Sequence, residues 1–165
     1  MQINWNTNIK EALDRTEFMA ISTVAEDESW VCPVQFSYDE KLNLYFKSMP
    51  NSRHIQEIKI NPKVSIAIFS TDRLPSGDVI GIQLEGTATI LTSRDNVEIA
   101  AKYHYRRSKP GTDYMTRIDE HLGSDALWNF AKVTPTEVWY FNSGLFDEEA
   151  QGRQKVPLGS LKIEL

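Results

Sequence analysis

Leu44-Tyr45-Phe46-Lys47-Ser48-Met49-Pro50-Asn51-Ser52-Arg53-His54 brings together the residue types of a phosphate site. The first half is a β-type run, and the second opens a short basic helix that Asn61-Pro62 ends. Ser48 and Ser52 supply hydroxyls where strand gives way to helix. The helix start offers unpaired N–H groups and a partial positive charge to an anion. Arg53 adds a planar fork that matches phosphate oxygens. Each residue also has a plainer role. Ser52 also reads as a helix N-cap, Arg53 as a solvated surface arginine, His54 as a helix-surface residue, and Lys47 and Ser48 as strand-end residues facing water. The stretch has no glycine, so it is not a nucleotide P-loop.

Other chemistries are poorly provided for. No His, Cys and carboxylate positions have zinc spacing, no Gly-x-Gly-x-x-Gly occurs, and no catalytic triad or paired-carboxylate site stands out. His104 and His121 read as structural or exposed. Cys32 is the only cysteine, which excludes an internal disulfide, suits a reducing compartment and reads as a small buried apolar residue. With 165 residues, 41% apolar and 25% charged, the chain is expected to form one domain over 1–165. A net charge of −5 argues against nucleic acid as a partner. Met1-Gln2-Ile3-Asn4-Trp5 holds no apolar signal core, and no apolar run approaches the roughly 18–20 residues that cross a bilayer. A cytoplasmic protein without a membrane partner is therefore expected.

The elements that must position these groups are mostly strands. Asn6-Thr7-Asn8 caps a first helix with Ile9, Ala12 and Leu13 on one face. Phe18 to Val24, Trp30 to Tyr38 and Leu42 to Ser48 read as a meander joined by the polar turns Glu26-Asp27-Glu28-Ser29 and Asp39-Glu40-Lys41. Pro33 places an edge or a bulge in the second strand. After the basic helix come a strand from Lys63 to Phe69, a polar loop from Ser70 to Asp78 and a long strand from Val79 to Leu91. Thr92 or Ser93 caps a helix through about Arg106, with Val97, Ala100, Ala101 and His104 at helical spacing. Tyr114 to Phe130 reads as helical, and Thr136 to Asn142 as the last strand. Six mostly antiparallel strands with short peripheral helices point to a mainly β fold, a six-stranded split barrel of Greek-key type, because an open sheet would leave two long edges.

Three strings, in order, resemble the pyridoxamine 5'-phosphate oxidase-like FMN-binding split β-barrels. They are Tyr45-Phe46-Lys47-Ser48 with Ser52-Arg53-His54 and Asn61-Pro62-Lys63-Val64-Ser65; Leu84-Glu85-Gly86-Thr87-Ala88; and Trp128 through Val133-Thr134-Pro135-Thr136-Glu137-Val138-Trp139. The resemblance implies a homodimer with FMN at the subunit interface. It implies that Ser52 and Arg53 hold the phosphate, with His54 where the family often has lysine. Lys47 and Ser48 fall at flavin-contacting strand positions, and Val34 and Gln35 lie on the strand that lines the ring. Gln83 lies on the strand that carries a flavin-contacting glutamine in the oxidases. By its residue type alone, Gln83 reads as a lone polar residue facing water.

Two departures bear on the substrate. Trp30-Val31-Cys32-Pro33-Val34-Gln35 lacks both charges of the oxidases' Arg-x-Val-Leu-Leu-Lys strand. Leu145-Phe146-Asp147-Glu148-Glu149-Ala150-Gln151-Gly152-Arg153-Gln154 stands where the oxidases carry Arg-Leu-His-Asp-Arg. Pyridoxamine phosphate is therefore not the expected substrate. Asp147-Glu148-Glu149 reads as a solvated loop tip, and Arg153 as a residue that could close over a ring. Tyr103 and Arg107 keep the four-residue spacing of the oxidases' substrate-phosphate site, which hints at a second anion pocket. The expectation is an FMN-dependent oxidoreductase acting on a small molecule. The alternatives are a non-catalytic FMN carrier or redox sensor, and a barrel that takes haem or deazaflavin.

Overall fold

Alternating side chains close the sheet into a barrel. The structure, a computed structural model, describes residues 3–72, 74–146 and 152–165. Strands β1 (Phe18–Ala25), β2 (Glu28–Tyr38), β3 (Leu44–Ser48), β4 (Lys63–Phe69), β5 (Ile80–Ile90) and β6 (Asn129–Asn142) run in the order β3-β2-β1-β4-β5-β6, and β3 also pairs with β6. Every pairing is antiparallel. The fourth strand returns beside the first, which is the Greek-key order expected from the sequence. Met19, Ile21, Phe36, Leu44, Phe46, Ile66, Ile68, Leu84, Val133, Val138 and Tyr140 fill the interior. On β5 the inward set is Ile82, Leu84, Gly86 and Ala88, with Gln83, Glu85 and Thr87 facing out.

The barrel is split along β2. Glu28 to Gln35 pair with β1, whereas only Phe36 to Tyr38 pair with β3. The outer edge of the first segment is open, and Pro33 lies on it, where a missing N–H costs no ladder bond. Trp30 and Val31, on the same segment, are 42% and 61% exposed.

Helix α1 (Trp5–Asp14) buries Ile9, Ala12 and Leu13, and α2 (Arg53–Ile60) sends Ile55 and Ile58 into the barrel core. Helix α3 (Arg94–Ser108) covers the opposite side of β3 and β6, where Tyr45, Leu91, Val97, Ala100, Ala101, Tyr105, Ile118 and Phe130 form a second core.

Four expectations are corrected. The cap of α1 is Asn4, which accepts from the Thr7 N–H at 3.2 Å, rather than Asn6-Thr7-Asn8. The segment from Tyr114 is a 3₁₀ stretch that ends at His121, and the chain is already in β6 at Asn129. Strand β6 therefore starts seven residues before Thr136 (136 − 129 = 7). Pro135 conceals this in the sequence. It sits at a bulge where Glu85 pairs with Glu137 and Gly86 with Pro135, leaving Thr136 as the extra residue. The Thr136 hydroxyl donates to the Glu85 carbonyl at 3.2 Å. Finally, a three-residue strand β7 (Arg153–Lys155) adds to β6 outside the barrel, too short to leave a pattern in the sequence. The acidic run Asp147-Glu148-Glu149 and the Arg73 position of the polar loop lie outside the described residues.

Candidate functional site

The period of two along β3 sorts the site residues. Tyr45 and Lys47 face α3, while Phe46 and Ser48 face the barrel and α2. Lys47 and Ser48 therefore present their side chains to different compartments.

On the α2 side, Ser48, Ser52 and His54 form one cluster. The Ser48 hydroxyl lies 2.8 Å from His54 Nε2 and 3.2 Å from the Ser52 hydroxyl, which is itself 3.4 Å from His54 Nε2. Ser52 occupies the N-cap position of α2, but its hydroxyl donates to the Met49 carbonyl at 2.9 Å instead of capping. The helical ladder begins with the Gln56 N–H on the Ser52 carbonyl, so the N–H groups of Arg53, His54 and Ile55 stand outside it. His54 is 5% exposed, and burial lowers its pKa against the opposing pull of Glu57, which keeps the imidazole neutral at neutral pH.

Arg53 points the other way, along β2. Its guanidinium lies 4.7 Å from the centre of the Trp30 ring. Nε donates to Glu57 at 2.6 Å and Nη2 to Glu28 at 3.0 Å. Glu57 also accepts from the buried Thr23 hydroxyl at 2.5 Å, and these two donors hold its carboxyl below the usual range. Glu57 is an anchor, whereas the Glu28 side chain is 76% exposed and its pairing is a weak surface contact.

On the α3 side, Lys47 Nζ approaches the Tyr105 hydroxyl at 3.4 Å and lies 5.1 Å and 5.3 Å from the ring centres of Tyr105 and Trp128. Burial lowers its pKa, with Arg117 and Lys109 adding to the effect.

A third group lines an open groove of about 400 Å³ on the outer face of β1, β4, β5 and β6. Ala20, Ser22, Ser65 and Ala67 form a floor of small side chains. Arg153 reaches over from β7, donates to Gln83 Oε1 at 2.9 Å and lies 5.2 Å from the Trp139 ring centre. Glu137 accepts from Lys155 at 2.5 Å and the Trp139 indole at 2.6 Å, and both contacts lower its pKa.

The remaining candidates lie elsewhere. The Val34 side chain is buried in the barrel core, and Gln35 donates to Glu17 at 3.1 Å. Arg107 donates to the carbonyls of Leu13 and Thr16 and stacks on Phe36 and Tyr38, while Tyr103 donates to Glu40 at 3.1 Å and stacks on Tyr45. These two residues brace α3 and do not form the second anion pocket their spacing suggested. The sequence reading left Thr23, Glu28, Glu57 and Tyr105 out of the site. The i, i+4 spacing of Arg53 and Glu57 was the one signal that could have found any of them. Among the described residues, no His, Cys, Asp and Glu side chains group as a metal site, and no helix is long and apolar enough to cross a membrane.

Comparison with known proteins places this geometry. A family model described as pyridoxamine 5'-phosphate oxidase matches residues 6–141. No curated protein matches the sequence. Among solved structures, a heme binding protein from Mycobacterium smegmatis superposes with a TM-score of 0.72 at 14% identity, covering 96% of this chain and 60% of that one. A FAD-binding protein from Mesorhizobium loti gives 0.60 at 15%, covering 80% and 88%. General Stress Protein 26 from Bacillus anthracis gives 0.57 at 18%, covering 84% and 94%. At these identities the likeness is one of fold.

Proposed function

The chain belongs to the pyridoxamine 5'-phosphate oxidase family, and from that premise we propose that it is an FMN-binding oxidoreductase that works as a homodimer on a small substrate other than pyridoxamine phosphate. The observation that carries the reading is the cluster of Ser48, Ser52 and His54 at the start of α2, with Arg53, the first residue of that helix, directing its guanidinium along β2 to Glu57, Glu28 and the Trp30 ring. It offers hydroxyls, an imidazole and free N–H groups to one anion. Glu28, exposed and weakly held, is the partner of Arg53 that a phosphate displaces, while Glu57 keeps the guanidinium in place.

FMN supplies the electron-accepting ring, and the protein's part is to bind it, orient it and keep water away. Trp30 and Val31 on the open edge of β2 give an apolar flank. Gln83 and Arg153 are donors suited to the polar rim of a ring, and the floor of small side chains lets a flat ring approach the sheet. The groove lies open on one side and the outer edge of β2 is unpaired, which supports a second copy completing the site. The departures at Trp30 to Gln35 and in the C-terminal string remove the charges that would hold pyridoxamine phosphate.

The groove is a poor place for haem. Among the described residues, none of those lining it is a His, Cys, Met or Tyr that could ligate iron, and His54, His104 and His121 are all buried. To test the catalytic reading, the FMN-loaded protein is mixed with NADH or NADPH without oxygen. Rapid bleaching of the flavin band, followed by reoxidation on addition of an acceptor, is the expected result. A flavin that stays oxidised with both donors makes the protein a carrier or sensor instead.

A further inference from the structure

We propose that Lys47 is a reactive amine that condenses with anionic aromatic aldehydes, at a site distinct from the α2 corner. The lysine is set apart by what surrounds it. Its Nζ is half-buried between the faces of Tyr105 and Trp128, and its hydrogen-bond partner is a neutral hydroxyl. Among the described residues, Glu120 is the one carboxylate that acts on it, and Glu120 is already held by both Nε and Nη2 of Arg117 at 3.2 and 3.0 Å.

The groups facing Lys47 are otherwise cationic or neutral. Arg117 and Lys109 push against its charge, and Arg117 sits over the other side of the Tyr105 environment at 5.7 Å from the ring centre. His104 and His121, which also face it, are buried with lowered pKa values and stay neutral at neutral pH. A desolvated lysine beside other cations spends more of its time as the free amine, the form that attacks a carbonyl.

The hydrogen-bond directions give the proton a route. His121 Nδ1 lies 3.2 Å from the Trp128 carbonyl, a pure acceptor, so Nδ1 carries the proton and Nε2 is free to accept. Nε2 is 3.5 Å from the Tyr105 hydroxyl, which in turn is 3.4 Å from Lys47 Nζ. Tyr105 therefore donates inward to His121 and accepts from Lys47. In the condensation, the neutral amine adds to the aldehyde carbon and its two protons pass to the former carbonyl oxygen. One water leaves as the C=N bond forms, with no change of oxidation state. Trp128, 36% exposed, offers a stacking face to an aromatic aldehyde, and the positive charge of Lys109 favours one bearing a carboxylate.

The whole protein is incubated at pH 7.5 with limiting 4-formylbenzoate and cyanoborohydride, which donates hydride to the imine and fixes it as a secondary amine. Peptide mass spectrometry then reads the modified fraction at each lysine. Lys47 is expected to be labelled measurably faster than the exposed Lys59 and Lys63, because a lowered pKa leaves more of it as the free amine. Its lead is expected to shrink with uncharged benzaldehyde and with Tyr105→Phe. Labelling of Lys47 no faster than of Lys59 and Lys63 in the unaltered protein would overturn the proposal, and that comparison needs no variant to fold.

Discussion

Replacing Gly86 with alanine is expected to destabilise the barrel by about 3 kcal/mol, the upper range for forcing atoms into a filled interior. The cause is local and steric. A Cβ at this position would stand 2.7 Å from the Thr134 carbonyl oxygen, 2.8 Å from Val133 Cγ1 and 3.3 Å from Pro135 Cα. Two of these three neighbours are backbone, so rotamer changes do not relieve the contact. The backbone that would have to move is the bulge where β6 passes Pro135 and Thr136. That bulge sets the register of Val138 and Tyr140 in the core, and of Glu137 and Trp139 in the groove. Urea unfolding of the variant checks the stability. A midpoint unchanged from the parent would show that the β5–β6 crossing is looser than described.

Acid is expected to weaken the fold through His104, whose buried imidazole has its pKa lowered to about 4 from 6.5, chiefly by burial, with Lys47 and His121 contributing. The unfolded chain takes up this proton below pH 6.5, and the native state resists until about pH 4. Stability from this residue is therefore complete above pH 6.5 and is lost as pH falls towards 4, by about 2.5 kcal/mol at pH 4.5. Among the described residues, His104 Nδ1 has no hydrogen-bond partner, and the ring is packed edge-on against Tyr105 and Phe130. His104→Leu is expected to keep the packing and to flatten the acid limb by that amount, read from urea midpoints at pH 7.5 and 4.5. Equal pH dependence in parent and variant would contradict the assignment. His54 and His121, also buried with lowered pKa values, shift the limb in the same direction.

Much of this was legible in the sequence, for reasons that can be named. The spacing of Ile9, Ala12 and Leu13 and of Val97, Ala100, Ala101 and His104 gave the buried faces of α1 and α3, because helical burial repeats every three to four residues. Runs of β-type residues between polar turns gave β1 to β5, and Asn61-Pro62 gave the end of α2. The start of β6 was hidden because Pro135 looks like a strand boundary when it belongs to a bulge, and a bulge exists only in relation to the partner strand.

The site divides in the same way. Ser48, Ser52 and His54 meet because the turn that joins them is local. Strand parity alone could have separated Lys47 from Ser48. The attachment of Arg53 to Glu28, 25 residues away, and of Glu57 to Thr23, 34 residues away, depends on how α2 settles against β1 and β2. No local pattern carries that information. The same holds for Arg153 over Gln83 and Trp139, which are brought together only by β7.

The central claim is that the α2 corner takes the phosphate of FMN in a two-fold assembly. Titration of the flavin-free protein with FMN and, separately, with riboflavin tests it most directly, with flavin fluorescence reporting binding and sedimentation velocity reporting mass. The expected result is a dimer that binds two FMN molecules, with riboflavin held about a hundredfold more weakly for want of the charge-assisted phosphate contacts. A monomer that binds neither flavin, or a protein that binds riboflavin as tightly as FMN, would contradict it.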